Sequence, residues 1–482
     1  MSASTSSSAS TSASTPTPYA FTKGAKEVEG ATSTAGAVQL APGATYRSSL
    51  GAGDKLYYRL TLDRTADAYV SATAVPEADA TPGASAGVRV SVQDADAHRC
   101  SYDTARFGPA GRARPVTAWA SREIGTDEYM CQEAGTYYVV VERIGSTTTG
   151  STTGSTTGAT TGSTSGSVGG APDEEWALEI AYASEPAVRK GGSTSAPETW
   201  NSASPDAPLG DAVPRAGGYG FATASPVSQG VWQHKDGITP GETVYYKVPV
   251  DWGQQLYATA EIGSTTGDGD GLVGSALVLS LYNPVRGLVD DARISYDGSQ
   301  RTTTLDPLPP VAYANRFSRD DEVGGMRFAG WYYLAVHLAE PVADRFGDGP
   351  FGLTLRVQVQ GEPQEGPGYL GTAQPLGVFE VTEGDLEAAE NGATGDTKDS
   401  ADTGGAGGTE GPGSGGDSGN SSLTGDERLA MQAVAAGGIG TGSLLVLLLA
   451  IWTLVARRRA AKDPARRGAT RSRGRHGPSQ GW

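Results

Sequence analysis

The chain has 482 residues and carries 37 Lys and Arg against 54 Asp and Glu, which gives a formal net charge of −17. This acidic balance excludes nucleic acid as an expected partner, because nucleic-acid binding depends on basic side chains that neutralise phosphates. The length is sufficient for two domains with separate cores. The two cysteines are too few for a disulfide-dense scaffold or a zinc cluster.

The chain begins with a Ser-, Thr- and Ala-rich stretch, residues 1–16, which is predicted to be disordered. Residues 17–185 and 217–362 then contain five sequence blocks that recur in the same order, separated by a predicted linker at 186–216. The blocks pair as Gly53–Leu62 with Gly241–Val250, Ala68–Val75 with Leu256–Gly263, Val88–Asp94 with Leu277–Asn283, Ala134–Ile144 with Ala329–Ala339, and Trp176–Tyr182 with Phe351–Val357. Matched blocks in one order predict two copies of a single domain.

Each block alternates apolar and polar residues with period two, which is typical of a half-buried strand. In the first block, for example, Leu56, Tyr58 and Leu60 share one face. Gly, Pro, Asp and Ser between the blocks indicate turns. The pattern predicts an all-β fold with two tandem antiparallel β-sandwiches of the jelly-roll kind.

A low-complexity tract at residues 146–170 lies inside the first copy, between its fourth and fifth blocks. The equivalent stretch of the second copy is short, residues 340–350. The tract is therefore predicted to be a disordered loop insertion within sandwich 1, since long surface insertions add little closure entropy.

The two cysteines, Cys100 and Cys131, both fall in the first copy. In an oxidising compartment we expect them to form a disulfide. Two buried free thiols are the alternative.

Four tyrosines are predicted to stand on the sheet faces opposite the cores: Tyr57 and Tyr69 in the first copy, and Tyr245 and Tyr257 in the second. Aromatic rings on an exposed flat sheet can stack on sugars, so these four are the predicted binding residues. The alternative is that a neighbouring segment covers them. His337 lies on the same outward side of its strand, and it is predicted to be a surface residue.

The search for catalytic chemistry finds no defensible motif. Gly83–Gly87 fits G-x-S-x-G, but it lies in a loop of a β-domain rather than in the strand–turn–helix that a nucleophile elbow needs. We therefore predict a protein that is not an enzyme and has no cofactor and no metal site.

The C-terminal part of the chain predicts a membrane anchor. Residues 363–428 are predicted to form an acidic low-complexity stalk. Residues 429–456 are uncharged and exceed the ~20 apolar residues that span a bilayer. Arg457, Arg458 and Arg459 follow at once and open a basic tail, 457–482, which predicts a cytoplasmic C-terminus and an extracellular body.

This topology needs an export signal, and residues 1–16 lack its basic start and apolar core. We expect the signal to lie upstream of Met1. A tail-anchored protein with a cytosolic body is the alternative, although it would place the arginines outside, against the charge rule.

Four short segments of the two copies resemble motifs of the bacterial pre-peptidase C-terminal domain and similar secreted sandwich modules. They are Gly53-Asp54, Tyr57-Tyr58, Gly135-Thr136-Tyr137 and Gly330-Trp331-Tyr332. The chain departs from that pattern at Leu56 and Val244, where the family has a second acidic residue. The resemblance implies a non-catalytic β-sandwich on a secreted or surface protein. Arg outnumbers Lys 29 to 8, which is typical of a high-GC, actinobacterial-type genome.

The combined prediction is a single-pass protein of the cell membrane whose ectodomain binds a cell-wall polysaccharide or an envelope protein. One alternative is a catalytic or accessory subunit of a secreted hydrolase. The other is a structural surface spacer.

Overall fold

The computed structural model describes residues 16–392, except for positions 78–79, 109–112, 126–129, 146–174, 190–191, 204, 206–207, 209, 266 and 268. The low-complexity tract, the predicted transmembrane helix at 429–456 and Arg457, Arg458 and Arg459 lie outside the described residues. Within the described ranges, no helix is long and apolar enough to cross a membrane.

In the described part of the chain, sandwich 1 has ten strands. They are β1 Lys26–Glu27, β2 Val38–Gln39, β3 Thr45–Leu50, β4 Lys55–Leu62, β5 Asp67–Val75, β6 Gly87–Asp94, β7 Arg99–Arg106, β8 Val116–Arg122, β9 Gly135–Ile144 and β10 Trp176–Glu185. Sheet I has the order β1-β3-β10-β5-β8, and sheet II has the order β2-β4-β9-β6-β7. β9 and β10 both belong to sandwich 1, and the low-complexity tract falls between them in the sequence.

Sandwich 2 repeats this arrangement. Its strands are β11 Val213–Arg215, β12 Ser225–Pro226, β13 Gly230–His234, β14 Thr243–Val250, β15 Gln255–Ile262, β16 Val273–Tyr282, β17 Leu288–Tyr296, β18 Arg301–Thr304, β19 Gly330–Leu338 and β20 Leu353–Gln360. Sheet III has the order β12-β14-β19-β16-β17, and sheet IV has the order β11-β13-β20-β15-β18. Three short helices accompany them: α1 Asp321–Gly325, α2 Pro341–Phe346 and α3 Glu383–Asn391.

The strand orders confirm the predicted duplication, because each strand of sandwich 2 occupies the place of the strand ten positions earlier. The eight long strands of each copy make the jelly-roll order, with β3-β10-β5-β8 facing β4-β9-β6-β7 in sandwich 1. The first short strand of each sheet pairs in parallel, and the remaining pairs are antiparallel. The prediction of antiparallel sheets therefore holds for every strand pair except those of the four short strands β1, β2, β11 and β12.

Each sandwich has its own apolar core between its two sheets. In sandwich 1, Leu60 and Val90 of sheet II pack against Ala72 and Ile180 of sheet I, and all four are fully buried. The alternation read from the sequence therefore predicted the inward side of the strands correctly. Burial of these side chains is the main stabilising contribution to each sandwich.

Two segments that were predicted as a linker and a stalk contain regular secondary structure. β11 lies within the predicted linker, where it pairs with β13. Residues 363–392, predicted as the start of the stalk, instead include α3 and the buried side chain of Phe379. The sequence prediction was wrong for this part of the stalk because it weighed composition and overlooked a few well-placed aromatic residues.

The predicted disulfide is present. Cys100 on β7 is bonded to Cys131 in the loop before β9, with a sequence separation of 31 residues. The bond ties the edge strand of sheet II to the segment that connects β8 with β9.

We expect the double variant Cys100→Ser/Cys131→Ser to lose about 3–4 kcal/mol of unfolding free energy, because the chain-entropy model assigns that amount to a loop of this length. Urea denaturation with and without dithiothreitol measures the loss. Reductant should destabilise the natural protein and leave the double variant unchanged. Equal stability of the two oxidised proteins would contradict the prediction.

Candidate functional site

The outer face of sheet I packs against the outer face of sheet III, and this joins the sandwiches. Aromatic rings fill the contact: Tyr69 of sheet I lies edge-on to Phe328, with centroids 5.1 Å apart. The approach at Gly287 is so close that an added Cβ would lie 2.8 Å from the Trp119 ring. We call this contact the sandwich interface.

Arg316 is the central cation of the sandwich interface. It donates to Asp67 Oδ2 at 3.1 Å and to both carboxylate oxygens of Glu185, at 2.8 and 3.0 Å. Its side chain is 6% exposed. A bidentate arginine suits two buried carboxylates, because its fork of N–H donors satisfies both of them.

Two further arginines of sandwich 2 cross the sandwich interface. Arg286 binds Glu179, which also accepts from Tyr19 Oη at 3.2 Å. Arg327 donates to Glu123 Oε2 at 2.7 Å. Burial raises the pKa of Glu123, but Arg327 and Arg316 outweigh it and hold that pKa below its usual value.

Residues 363–392, which we call the strap, cover the edge of the sandwich interface. Tyr369 Oη donates to Glu185 Oε1 at 2.7 Å. Phe379 stacks on Phe328 with ring centroids 4.9 Å apart. Trp331 of sheet III donates to Asp385 Oδ1 in α3 at 3.0 Å. The strap therefore contacts both sandwiches and closes the aromatic cluster from the side.

The sandwich interface and the linker bury three of the four tyrosines predicted to be exposed. Tyr69 and Tyr245 are 1% and 3% exposed, because the sandwich interface covers them. Tyr257 lies on sheet IV, where its hydroxyl donates to Asn201 O of the linker at 3.3 Å. The prediction of an exposed aromatic surface is wrong for these three residues, and only Tyr57 stays half-buried on an outer face.

His337 is also buried, contrary to its prediction as a surface residue. It points away from the core of sandwich 2 as expected, but sandwich 1 covers that side. Its Nδ1 is 2.9 Å from Thr243 Oγ1. Burial first, and then the nearby Arg114 cation, lower its pKa to about 3. The imidazole is therefore neutral and a weak base.

A cleft of about 480 Å³ opens beside Thr243 at the edge of the sandwich interface. Prolines form much of its wall, together with Tyr19 and Tyr219, which lie at equivalent positions of the two copies. Glu77, Glu340, Asp348 and Arg114 contribute its charge.

The outer face of sheet II is not part of the sandwich interface, and it carries the fourth predicted tyrosine. One row of paired residues crosses its four long strands. The row runs Tyr57, Val140, Ser91 and Tyr102 on β4, β9, β6 and β7. The two central side chains are small and are only 1% and 5% exposed, so the rings at the two ends are the accessible part of the row. We call these four residues the tyrosine row.

Basic side chains flank the tyrosine row on both sides. One neighbouring row contains Lys55, Glu142, Arg89 and Thr104, and the other contains Arg59, Tyr138, Gln93 and Arg99. Arg99 lies over the Tyr102 ring at 5.0 Å, and Lys55 lies over the Tyr57 ring at 5.6 Å. We call the three rows together the tyrosine–arginine face.

Sandwich 2 has the same row in the same register, but there the sandwich interface buries its tyrosine. Tyr245, Ala335, Ser280 and Asp291 occupy the four positions. Tyr245 packs against Tyr19 of the first lead-in with ring centroids 6.0 Å apart. The row of sandwich 2 therefore contacts sandwich 1, whereas the row of sandwich 1 lies outside the sandwich interface.

The sequence does contain signals for the sandwich interface. The connection from β18 to β19, residues 305–329, is about twice as long as its counterpart at 123–134 and adds Arg316, Arg327 and Phe328. On β10, the outward positions include Glu179 and Glu185 next to alanines. Small and acidic residues on one side of a strand, with an arginine-rich insertion elsewhere, indicate a charged docking surface.

No protein-family model and no curated protein sequence matches the chain. The tandem CBM22-1–CBM22-2 domain of Paenibacillus barcinonensis Xyn10C is 9% identical, with 64% of this chain and 83% of that chain covered and a TM-score of 0.17. The CUB1-EGF-CUB2 domain of human MASP-1/3 is 7% identical, with 65% and 99% covered and a TM-score of 0.16. At these TM-scores the similarity does not bear on the ligand.

We expect Arg316→Ala to lower the unfolding free energy by about 3–5 kcal/mol, because it leaves Asp67 and Glu185 buried beside each other without their cation. The matched control is Arg319→Ala, an exposed arginine of the same segment, which should change stability by less than about 0.5 kcal/mol. Chemical denaturation compares the two. Equal effects would show that the ion cluster contributes little to the folded state.

The raised pKa of Asp67 predicts an unusual dependence of stability on pH. Burial, and then the charges of Glu185 and Glu123, raise the pKa of Asp67 from 3.8 to about 7. Between these two values the folded protein holds a proton that the unfolded chain releases. The contribution of Asp67 to stability is therefore fully present below about pH 4 and is lost as the pH rises through 7.

In Asp67→Asn, we expect the unfolding free energy to depend less steeply on pH between 4 and 7 than in the natural protein. Thermal or urea unfolding at several pH values measures the slope. Asp348→Asn, which changes an exposed carboxylate, serves as the control. A variant slope as steep as that of the natural protein would assign the effect to other groups.

Proposed function

We propose that this chain is a non-enzymatic cell-surface protein that binds a cell-envelope glycan through the tyrosine–arginine face of sandwich 1. The observation that carries the proposal is a pair of tyrosines on the outer face of sheet II, which lies outside the sandwich interface. The residues between them, Val140 and Ser91, are 1% and 5% exposed. Tyr102 is 58% exposed, and Tyr57 is half-buried. A tyrosine ring offers a large apolar surface at low entropic cost, together with a hydroxyl that can bind sugar hydroxyls.

The location of the protein is part of the same proposal. The uncharged segment 429–456 would anchor the chain, with Arg457, Arg458 and Arg459 on the cytoplasmic side. The disulfide between Cys100 and Cys131 supports an oxidising compartment for sandwich 1. A rigid pair of sandwiches outside the membrane would then present the tyrosine–arginine face to the envelope.

The contact between the sandwiches supports a binding role over that of a flexible spacer. Arg286, Arg316 and Arg327 join the two domains through buried ion pairs. This fixes the tyrosine–arginine face relative to sandwich 2, so a ligand meets a preformed surface.

A hydrolase would place its chemistry in the cleft, where Glu340 and Asp348 lie. The imidazole near the cleft, His337, is a weak base and already contacts Thr243. A general base works best with a pKa near the operating pH, so His337 is poorly suited to this role. Hydrolysis of envelope glycan that disappears in Glu340→Gln or Asp348→Asn would favour the enzyme instead.

The test is retention of the purified full-length protein on cell-envelope polysaccharide. We expect Tyr57→Ala/Tyr102→Ala to weaken binding about tenfold or more, because each stacked ring contributes about 1 kcal/mol. The matched control is Tyr57→Phe/Tyr102→Phe, which keeps both rings and should bind within about threefold of the natural protein. Binding that is unchanged in the alanine variant, with its circular dichroism spectrum also unchanged, would refute this site.

A further inference from the structure

We propose that the bound glycan is an anionic linear polysaccharide with carboxylates on its sugar rings, and that it lies across the strands of sheet II along the tyrosine row. This inference rests on the proposed function and specifies its ligand. It depends on the register of four strands and on the charges beside them.

The strand register sets the direction in which the polysaccharide lies. Tyr57 and Tyr102 are three strand spacings apart, ~14 Å, with Val140 and Ser91 between them. A polysaccharide crossing the strands meets a ring at each end of the row, with the buried Val140 and Ser91 between the two rings. A polysaccharide running along β4 would meet only one ring, because the neighbouring outward residues are Lys55 and Arg59. Stacking therefore favours the crossing direction.

The charge of the tyrosine–arginine face is opposite to that of the whole chain. Four of its residues are basic, and one, Glu142, is acidic. Glu142 is already shared, since its carboxylate lies 3.0 Å from Lys55 Nζ and 3.6 Å from Arg89 Nη1. A basic surface on a chain with net charge −17 is a local feature, and its attraction for a polyanion acts within about one Debye length, ~8–10 Å at physiological salt.

Arg59 and Arg99 are the two cations available to a ligand. Among the described residues, neither has a carboxylate within 4.0 Å. Arg59 instead donates to the neutral Gln39 Oε1 at 3.1 Å, and Arg99 lies over Tyr102. They stand on β4 and β7, at the two ends of one row beside the tyrosine row. Each guanidinium can bind a carboxylate through two parallel N–H bonds.

The positions of the cations predict where the charges of the ligand lie. Each tyrosine of the tyrosine row has an arginine next to it on the same strand. Arg59 lies two residues after Tyr57 on β4, and Arg99 lies over the Tyr102 ring on β7. A sugar stacked on the ring would therefore bring a ring-borne carboxylate toward the arginine. A neutral glycan would use the rings and leave the guanidinium groups without a partner.

Sandwich 2 provides a comparison within the same molecule. Its equivalent row packs against sandwich 1, whose facing surface carries Glu179, and the adjacent hairpin supplies Arg286 to bind that carboxylate. The row of sandwich 2 thus also has a tyrosine, Tyr245, which packs on Phe221, and Arg286 lies over the Phe221 ring. In sandwich 2 the acidic partner is the protein itself, and in sandwich 1 we infer that the acidic partner is the glycan.

The experiment uses the full-length protein and two probes with one backbone: polygalacturonate, and its fully methyl-esterified form, which has the same sugars without charge. We expect polygalacturonate to bind at least about tenfold more tightly at low salt, and its binding to weaken as salt rises. Equal binding of the two probes would overturn the anionic inference and leave the proposed function intact. Binding of neither probe, nor of envelope polysaccharide, would count against the proposed function itself.

Variants distinguish charge from stacking. We expect Arg59→Gln/Arg99→Gln to reduce polygalacturonate binding about tenfold and to leave binding of the methyl ester unchanged. Arg64→Gln, an exposed arginine of sandwich 1 outside the face, is the matched control and should have no effect. Equal loss in the control would show non-specific attraction. Binding of a single-stranded oligonucleotide or of anionic vesicles as tight as that of polygalacturonate would replace the glycan by a general polyanion and overturn the inference.

Galacturonate oligomers of different length test the direction in which the polysaccharide lies. A tetramer of galacturonate spans both tyrosines, whereas a dimer reaches only one. We expect the tetramer to bind more tightly than the dimer, and Tyr102→Ala to reduce tetramer binding to the level of the dimer. If Tyr102→Ala weakens binding of the dimer and tetramer by the same factor, the crossing arrangement is wrong.

Discussion

The structure depends on the burial of one sheet face of sandwich 1 against one sheet face of sandwich 2. Buried carboxylates are costly unless each has a partner, and here Asp67, Glu179 and Glu185 find theirs in arginines that the other sandwich supplies. The aromatic rings around them exclude water and strengthen these contacts. The two jelly rolls are therefore one unit, although each has a complete core of its own.

This contact explains why two copies of one fold differ in their surfaces. A β-sandwich has two outer faces, so a pair of sandwiches has four, and one contact covers two of them. In sandwich 2 the face with the tyrosine register is covered, and Tyr245 and His337 are buried with it. In sandwich 1 the same face stays outside the contact and keeps its charged residues. Equivalent sequence positions thus have different environments, and only one copy can offer this face to a ligand.

The sequence was sufficient for the fold because the fold follows from local alternation and repetition. Period-two patterns identified the inward residues, such as Leu60 and Val90, and five matched blocks identified the duplication. The pattern also placed Tyr69, Tyr245 and His337 correctly away from the cores. It failed on their exposure, because a period of two separates the faces of a sheet but does not reveal what lies against the outer face. The strap was missed for a related reason, since Tyr369 and Phe379 stand in a segment whose average composition is polar.

The charge of the tyrosine–arginine face follows from its position outside the contact. A row that packs against another protein surface must pair or lose its charges. Sandwich 2 has the apolar Val278 where sandwich 1 has Arg89, while Lys247 keeps the positive charge of Arg59 and lies over the Trp331 ring at 4.5 Å. In sandwich 1, water solvates the basic residues, so no structural requirement demands carboxylates beside Arg59 and Arg99. If these positions only had to be soluble in water, lysine or glutamate would suit them equally well. Two guanidinium groups beside two tyrosine rings, at the ends of adjacent rows, form instead an arrangement suited to sugar rings that carry carboxylates. The same strand register that closes the molecule in one copy thereby gives the other copy a surface for the acidic glycan that we propose.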